Sequence, residues 1–172
     1  MTGARLTHLL AGLLVWGAFV AWRGRRAGGP GRARTRGTSV PRDPDAPDDA
    51  RRRADLALLP GVVVGAAVPD WDLWVGGVGF HRSPLFHSAL PVLVLGGLGR
   101  LISRRTVPWW PGGLALGVAS HLLWDIVQYG DVRWIRGGNA DRLWLLVNAA
   151  TLLTWAAWRL RDRPGPVSTP DP

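Results

Sequence analysis

Cysteine is absent from this 172-residue chain, and so are lysine and glutamate. Without cysteine, a disulfide framework, a thiolate metal site and a cysteine nucleophile are excluded, so any chemistry must use other side chains. Every basic residue is arginine and every acidic residue is aspartate, which we interpret mainly as a bias towards GC-rich codons. The formal net charge is +9, which by its sign alone would fit a nucleic-acid partner.

The placement of the arginines favours a membrane protein instead. Apolar residues make up 47% of the chain and are concentrated in blocks, with the arginines gathered in the gaps between them. The 11 tryptophans fall mostly near the ends of the apolar runs, as expected for an aromatic belt at the membrane interface. We therefore predict the lipid bilayer as a partner and expect no nucleic acid.

Five apolar segments predict an all-α polytopic membrane helical bundle: Leu6–Trp22, Leu56–Val68 with its continuation Leu73–Phe80, Leu85–Ile102, Trp109–Tyr129 and Leu143–Leu160. The first segment is short for a span and also fits a signal peptide. No clear small-residue cleavage site precedes the basic stretch that starts at Arg23, which favours an uncleaved first helix. Pro69 is expected to end or kink the second helix.

The chain divides into four parts by composition. Residues 1–22 form the first membrane helix, and residues 54–160 form a membrane helical domain that carries the candidate site. Between them, residues 23–53 consist mostly of Gly, Pro, Arg and Asp, which predicts a disordered basic loop. This loop fits a plain linker or a contact with anionic lipid heads. The tail at residues 161–172 is also predicted to be disordered.

Arginine counts predict the orientation in the membrane. Ten arginines lie in the first loop, three lie at positions 100, 104 and 105, and three lie at 159, 161 and 163, which places 16 of the 21 on one side. The N-terminus is therefore expected outside and the C-terminus in the cytoplasm.

Seven polar side chains are expected to meet at the outer face of this bundle. They are all four histidines and three of the aspartates, namely His8, Asp70, Asp72, His81, His87, His121 and Asp125. Each lies near the outer end of a predicted span, and unpaired polar groups there would be costly. The convergence predicts a metal site at the membrane surface, with all seven as candidate ligands.

Imidazole nitrogen and carboxylate oxygen suit a divalent ion, with Zn first and Mn or Fe as alternatives. Without thiolates, the site favours a catalytic ion over a closed structural one. Seven ligands exceed the needs of one ion, so either two ions bind or some residues orient ligands and act as a general base. The predicted catalytic residues are Asp70, Asp72 and Arg82, the last as an anion-binding group or as an ion-pair partner of either carboxylate.

Each fragment alone has a simpler interpretation. The PDWD turn also fits a helix cap, and the His121–Asp125 pair also fits a hydrogen bond between membrane helices. His8 also fits an interfacial residue. The prediction rests on the coincidence of all the fragments in one topology.

These residues resemble the YdjM-type inner-membrane metal-dependent hydrolases, whose His and Asp pattern is itself similar to that of zinc-dependent phospholipase C. The matching text is THLL at Thr7–Leu10, VPDWD at Val68–Asp72, HRSPLFHS at His81–Ser88 and SHLLWD at Ser120–Asp125. Five residues separate His81 from His87 where the pattern has four, and Phe86 replaces the usual Thr. The resemblance implies a hydrolase without fixing its substrate.

Three functions follow as hypotheses. The preferred one is metal-dependent hydrolysis of a phosphoester or a lipid-linked ester that reaches the site laterally from the bilayer. The first alternative is a noncatalytic membrane protein with a structural or transported metal ion. The second is an interaction protein whose basic loop binds anionic lipid or nucleic acid.

Overall fold

A computed structural model describes residues 2–27, 52–102, 110–128 and 139–161 of the chain. The predicted loop at 23–53 lies largely outside these residues, and the predicted tail lies almost entirely outside them. In the described part, all regular structure is helical and no strand occurs. The prediction of an all-α bundle is therefore confirmed.

Among the described residues, six α-helices and two short 3-10 turns form the bundle, and residues 52–56 add a short helical stretch before α2. The α-helices are α1 (Thr2–Ala27), α2 (Leu59–Ala67), α3 (Asp72–Gly76), α4 (Leu90–Ile102), α5 (Trp110–Gln128) and α6 (Asn139–Arg161). The 3-10 turns are Val68–Trp71, between α2 and α3, and Val78–Phe80, after α3. Three segments are long and apolar enough to cross a membrane, namely Leu6–Arg25, Arg52–Gly76 and Asn139–Leu160, and a shorter apolar helix runs over Leu90–Gly99.

Helix α5 forms the centre of the bundle. It packs against α1, α2, α4 and α6, and every residue from 112 to 122 is buried. The outward faces of the surrounding helices expose large apolar side chains, among them Leu14 on α1, Leu93 on α4 and Leu146 on α6. A wide apolar exterior around the bundle is what a lipid-facing surface requires.

Glycines let α2 and α5 approach each other closely. A Cβ atom on Gly61 would lie 2.8 Å from the carbonyl oxygen of Trp110, and one on Gly117 would collide with the carbonyl oxygen of Val62. Gly65 and Gly113 face the opposite backbone in the same way. Both helices thus carry glycines four residues apart at their contact, the arrangement that brings membrane helices into backbone contact.

Helix α2 ends at Ala67, just before Pro69, as predicted. Pro69 occupies the first turn of the 3-10 segment Val68–Trp71, where a missing N–H removes no helical hydrogen bond. The two predicted apolar runs on either side of it therefore belong to one candidate span, Arg52–Gly76.

Two helix boundaries differ from the predicted ones. Helix α1 continues past Trp22 to Ala27, and Arg23 in this extension pairs with the buried Asp55 of the next span. Trp16 donates a hydrogen bond from Nε1 to the carbonyl oxygen of Asp55 at 3.1 Å. Helix α4 begins at Leu90 rather than Leu85, because residues 84–89 form turns and bends that hold His87.

Candidate metal centre

All seven predicted site residues come together at one end of the bundle. Each of them lies within 4 Å of at least one other member, measured between side-chain nitrogen and oxygen atoms. The residues come from α1 (His8), the 3-10 turn (Asp70), α3 (Asp72), the following turns (His81 and His87) and α5 (His121 and Asp125). The predicted convergence of these side chains is therefore present in the fold.

His87, His121 and Asp125 form the most buried group that could hold a metal ion. Nε2 of His87 lies 3.3 Å from Oδ2 of Asp125, and Nε2 of His121 lies 3.4 Å from the same oxygen. Ligand atoms bound to one tetrahedral zinc ion at 2.0–2.1 Å lie about 3.3–3.4 Å apart, the edge of the tetrahedron. The two observed distances match that edge.

The same atoms lack ordinary hydrogen bonds. Nε2 of His87, Nε2 of His121 and Oδ2 of Asp125 are buried and have no hydrogen-bond partner among the described residues. Buried polar atoms are normally paired, because leaving one unpaired costs about 1–3 kcal/mol. A metal ion would satisfy all three atoms, so the residues present fit such an ion.

The ring of His121 is oriented by the backbone of α2. Its Nδ1 lies 2.8 Å from the carbonyl oxygen of Ala66, a distance that requires the proton on Nδ1. The lone pair then lies on Nε2, which faces Asp125 and Asp70. Ligating histidines commonly donate their second ring N–H to a carbonyl or carboxylate in this way.

A second group consists of His8, Asp70 and His121. Nδ1 of His8 lies 3.5 Å from Oδ2 of Asp70, and Nε2 of His121 lies 3.8 Å from Oδ1 of Asp70. Nε2 of His8 also lies 3.7 Å from Oδ1 of Asp125, and the rings of His8 and His121 stack edge to face at 3.9 Å. The two groups share His121, so the site has donor atoms for one ion or for two neighbouring ions.

Asp72 is the fully buried carboxylate behind the histidines. Its Oδ1 lies 3.2 Å from Nδ1 of His81. Its Oδ2 accepts the backbone N–H of Ser83 at 3.1 Å and lies 3.5 Å from Nδ1 of His87. Asp72 is not a member of either ligand group, and it contacts the nitrogen of His87 that points away from Asp125.

His81 lies at the edge of the cluster, with a side chain 32% exposed. The hydrogen bond to Asp72 raises the pKa of His81 above its ordinary value, against the opposing effect of burial. His81 belongs to neither ligand group, although its ring centre lies 5.9 Å from that of His87. The structure therefore places His81 beside the group of His87, His121 and Asp125.

Arg82 follows His81 in an unusual backbone conformation. Its φ is 64°, in the left-handed region that non-glycine residues rarely adopt, at a cost of about 1–2 kcal/mol. Because Asp72 binds the residues on both sides of Arg82, the turn is held in this conformation. The half-buried Arg82 thus lies on the turn that Asp72 holds beside the site.

Two groups at the site were missed by the sequence analysis. The Ala66 carbonyl gives no sequence signal, because any residue supplies a carbonyl and only packing decides which one faces His121. The Ser83 amide donates a hydrogen bond to Asp72. The sequence does give a signal for this contact, because Ser83 lies between the two histidines of the HRSPLFH segment.

Comparison with protein families identifies the chain. The model of the family described as YdjM inner membrane protein matches residues 1–136, which include all seven site residues. The chain belongs to this family. A search of curated proteins and a search of solved structures found no significant match. Family membership and the apolar helices together establish an inner membrane protein whose partner is the lipid bilayer.

Proposed function

We propose that this member of the YdjM family is a membrane-embedded, metal-dependent hydrolase. The observation that carries the proposal is the group formed by His87, His121 and Asp125, in which both histidine nitrogens lie at the edge length of a tetrahedral zinc site from Oδ2 of Asp125, and none of these three atoms has a hydrogen-bond partner among the described residues. Structural zinc sites in proteins usually have four protein ligands, whereas catalytic ones keep a position open for water or substrate. Three ligands in this group support a catalytic site.

Zinc is the first choice of ion, with Mn or Fe as alternatives, because the donor atoms are imidazole nitrogens and carboxylate oxygens. His87, His121 and Asp125 would hold the ion, and His8 with Asp70 would hold a second ion or orient the ligands and the attacking water. When bound, such an ion polarises a carbonyl or phosphoryl group and lowers the pKa of nearby water.

The remaining residues have assignable roles around this group. Asp70 is the more exposed carboxylate of the cluster, so it is placed to accept the proton of an attacking water molecule, with His8 beside it. Asp72 holds His81 by a hydrogen bond and lies beside Nδ1 of His87. Arg82, on the turn held by Asp72, binds the anionic group of the substrate.

The surroundings of the site support a substrate that carries a lipid chain. Large apolar side chains are exposed on the segment that runs from Asp70 past His81, namely Trp71, Trp74, Val75, Val78 and Leu85. Trp71, Trp74 and Val75 lie at the end of the candidate span Arg52–Gly76, and Val78 and Leu85 follow it in the chain. A phosphoester or lipid-linked ester could therefore enter sideways from the bilayer with its chain on these residues and its polar group near Arg82.

The orientation is part of the same proposal. The arginine distribution places the N-terminus outside and the C-terminus in the cytoplasm. In this orientation the site end of the bundle, marked by His8 near the start of α1, faces the outer leaflet. The substrate would then be supplied from that leaflet.

The test compares the metal content of purified protein in detergent with that of Asp125→Asn, measured by elemental mass spectrometry after zinc is supplied. The matched control is Asp55→Asn, which changes another buried carboxylate on the same candidate span, fifteen residues before Asp70. We expect near-stoichiometric zinc in the parent and the control and a loss in Asp125→Asn.

Hydrolysis is then measured on soluble phosphoesters and on lipid vesicles. Negligible zinc in all three proteins would contradict the proposed site. Metal without hydrolysis, together with zinc flux into proteoliposomes, would favour a transporter and contradict the hydrolase.

A further inference from the structure

The turn that carries His87 is attached to α6 by two hydrogen bonds, one at this residue and one two residues after it. The indole Nε1–H of Trp144 donates to the carbonyl oxygen of His87 at 3.1 Å. The backbone N–H of Ala89 donates to Oδ1 of Asn148 at 2.9 Å. Asn148 in turn donates from Nδ2 to the carbonyl oxygen of Trp144 at 2.9 Å. The two α6 side chains, one helical turn apart, thus form one connected clamp on the turn.

The backbone of this turn decides where the His87 ring lies. The ring is buried, and neither of its nitrogens has a hydrogen-bond partner among the described residues. Serine side chains shape the turn from within, since Ser83 Oγ accepts the Leu85 N–H and Ser88 Oγ donates to the Leu85 carbonyl. These local bonds do not attach the turn to the bundle, whereas the bonds from α6 do.

Helix α6 also packs against the helix that carries the other two ligands. Leu145, Ala149 and Leu152 of α6 are buried in the same core as residues of α5, and the two helices are in extensive contact. His121 and Asp125 lie on α5. Packed contacts and hydrogen bonds therefore connect the helix of these two ligands, through α6, to the backbone of His87.

We propose that Trp144 and Asn148 are positioning residues that hold Nε2 of His87 at ligand distance from Asp125. This inference rests on the proposed function, because it assigns a task to residues around the proposed metal site. Both residues lie beyond residue 136, where the match to the family model ends. The clamp therefore belongs to a part of the chain that the family match does not cover.

The side-chain chemistry provides matched variants. Oδ1 of Asn148 is the atom that faces the Ala89 N–H, because an amide oxygen accepts and an amide nitrogen does not. Asn148→Asp keeps this acceptor, whereas Asn148→Leu removes it and keeps a similar volume. Trp144→Phe removes the N–H donor and keeps an aromatic ring. Thr151→Ala is the control, since the Thr151 hydroxyl donates to the carbonyl oxygen of Val147 on its own helix, at 2.8 Å.

The experiment measures zinc affinity of the full-length protein in detergent by competition with a chelator. Partners that orient metal ligands are worth about 10–100-fold in metal affinity. We expect Asn148→Leu and Trp144→Phe each to lower zinc affinity about 10-fold. The zinc affinity of Asn148→Asp should stay near that of the parent, and Thr151→Ala should leave the affinity unchanged. Amide hydrogen exchange at Ala89, measured without metal, should rise in Asn148→Leu and not in Asn148→Asp.

The outcomes separate this inference from the proposed function. A parent protein that binds no zinc overturns the proposed function and the clamp's role with it. If the parent binds zinc and the Trp144 and Asn148 variants bind it with equal affinity, the positioning role alone is overturned. Variants that lower the thermal midpoint of the metal-free protein but keep its zinc affinity assign Trp144 and Asn148 to stability, which also overturns the inference.

Discussion

His121 and Asp125 lie one turn apart on α5, with Nε2 and Oδ2 separated by 3.4 Å. This distance is longer than that of a good N–H···O hydrogen bond, about 2.7–3.2 Å, and it matches the edge of a tetrahedral zinc site of about 3.3–3.4 Å. Both atoms are buried without a hydrogen-bond partner among the residues that the structure describes. The pair therefore has the geometry of two metal ligands rather than that of a hydrogen-bonded pair.

Replacing Asp125 by Asn tests this geometry. The amide keeps the volume of the carboxylate but removes the negative charge, so we expect zinc affinity to fall at least about 100-fold, the upper end of losses seen for residues that only orient ligands. Hydrolysis should fall with it. Chelator competition and activity assays on the same preparation provide the measurement, and unchanged affinity would remove Asp125 from the ligand set.

Replacing Asp72 by Asn separates an orienting residue from a ligand. Asp72 contacts Nδ1 of both His81 and His87, so the variant should still bind zinc, with affinity lower by about 10–100-fold. The loss should be smaller than that for Asp125→Asn in the same titration. If the two variants lose affinity equally, Asp72 is itself a ligand and the assignment of the two carboxylates is wrong.

The glycine contact between α2 and α5 should control stability. A valine at Gly117 would meet the backbone of Val62 and Ala66, and overpacking of this kind costs about 1–3 kcal/mol. The thermal midpoint of Gly117→Val in detergent should therefore fall. Gly17→Ala on α1 is the control, because nothing lies within 4 Å of its added methyl group. Equal midpoints for the parent and Gly117→Val would contradict the close packing.

The proposed orientation places the C-terminus in the cytoplasm. A fluorescent protein that matures only in the cytoplasm should fluoresce when fused after Pro172, whereas alkaline phosphatase fused there should be inactive. The reverse pattern of the two reporters would place the metal centre at the cytoplasmic face. The substrate would then have to come from the inner leaflet.

The fold class followed from the apolar blocks, because a backbone in lipid must satisfy its own hydrogen bonds and helices do so within one segment. The helix boundaries were less predictable. Pro69 was expected to end or kink its helix, and α2 ends at Ala67 just before it, but the 3-10 turn that follows keeps both apolar runs in one candidate span. The start of α4 at Leu90 depends on the turn of His87, which in turn depends on contacts with α6.

The sequence by itself determined that four histidines and three aspartates lie at one end of the bundle, since each stands near the same end of an apolar segment. Only the tertiary structure decided how they differ. The carbonyl of Ala66 turns Nε2 of His121 towards Asp125, and the carboxylate of Asp72 contacts the opposite side of His87. These differences arise because helix packing fixes distances between residues far apart in the chain to within a few tenths of an ångström, whereas sequence spacing specifies only which end of a helix a residue occupies.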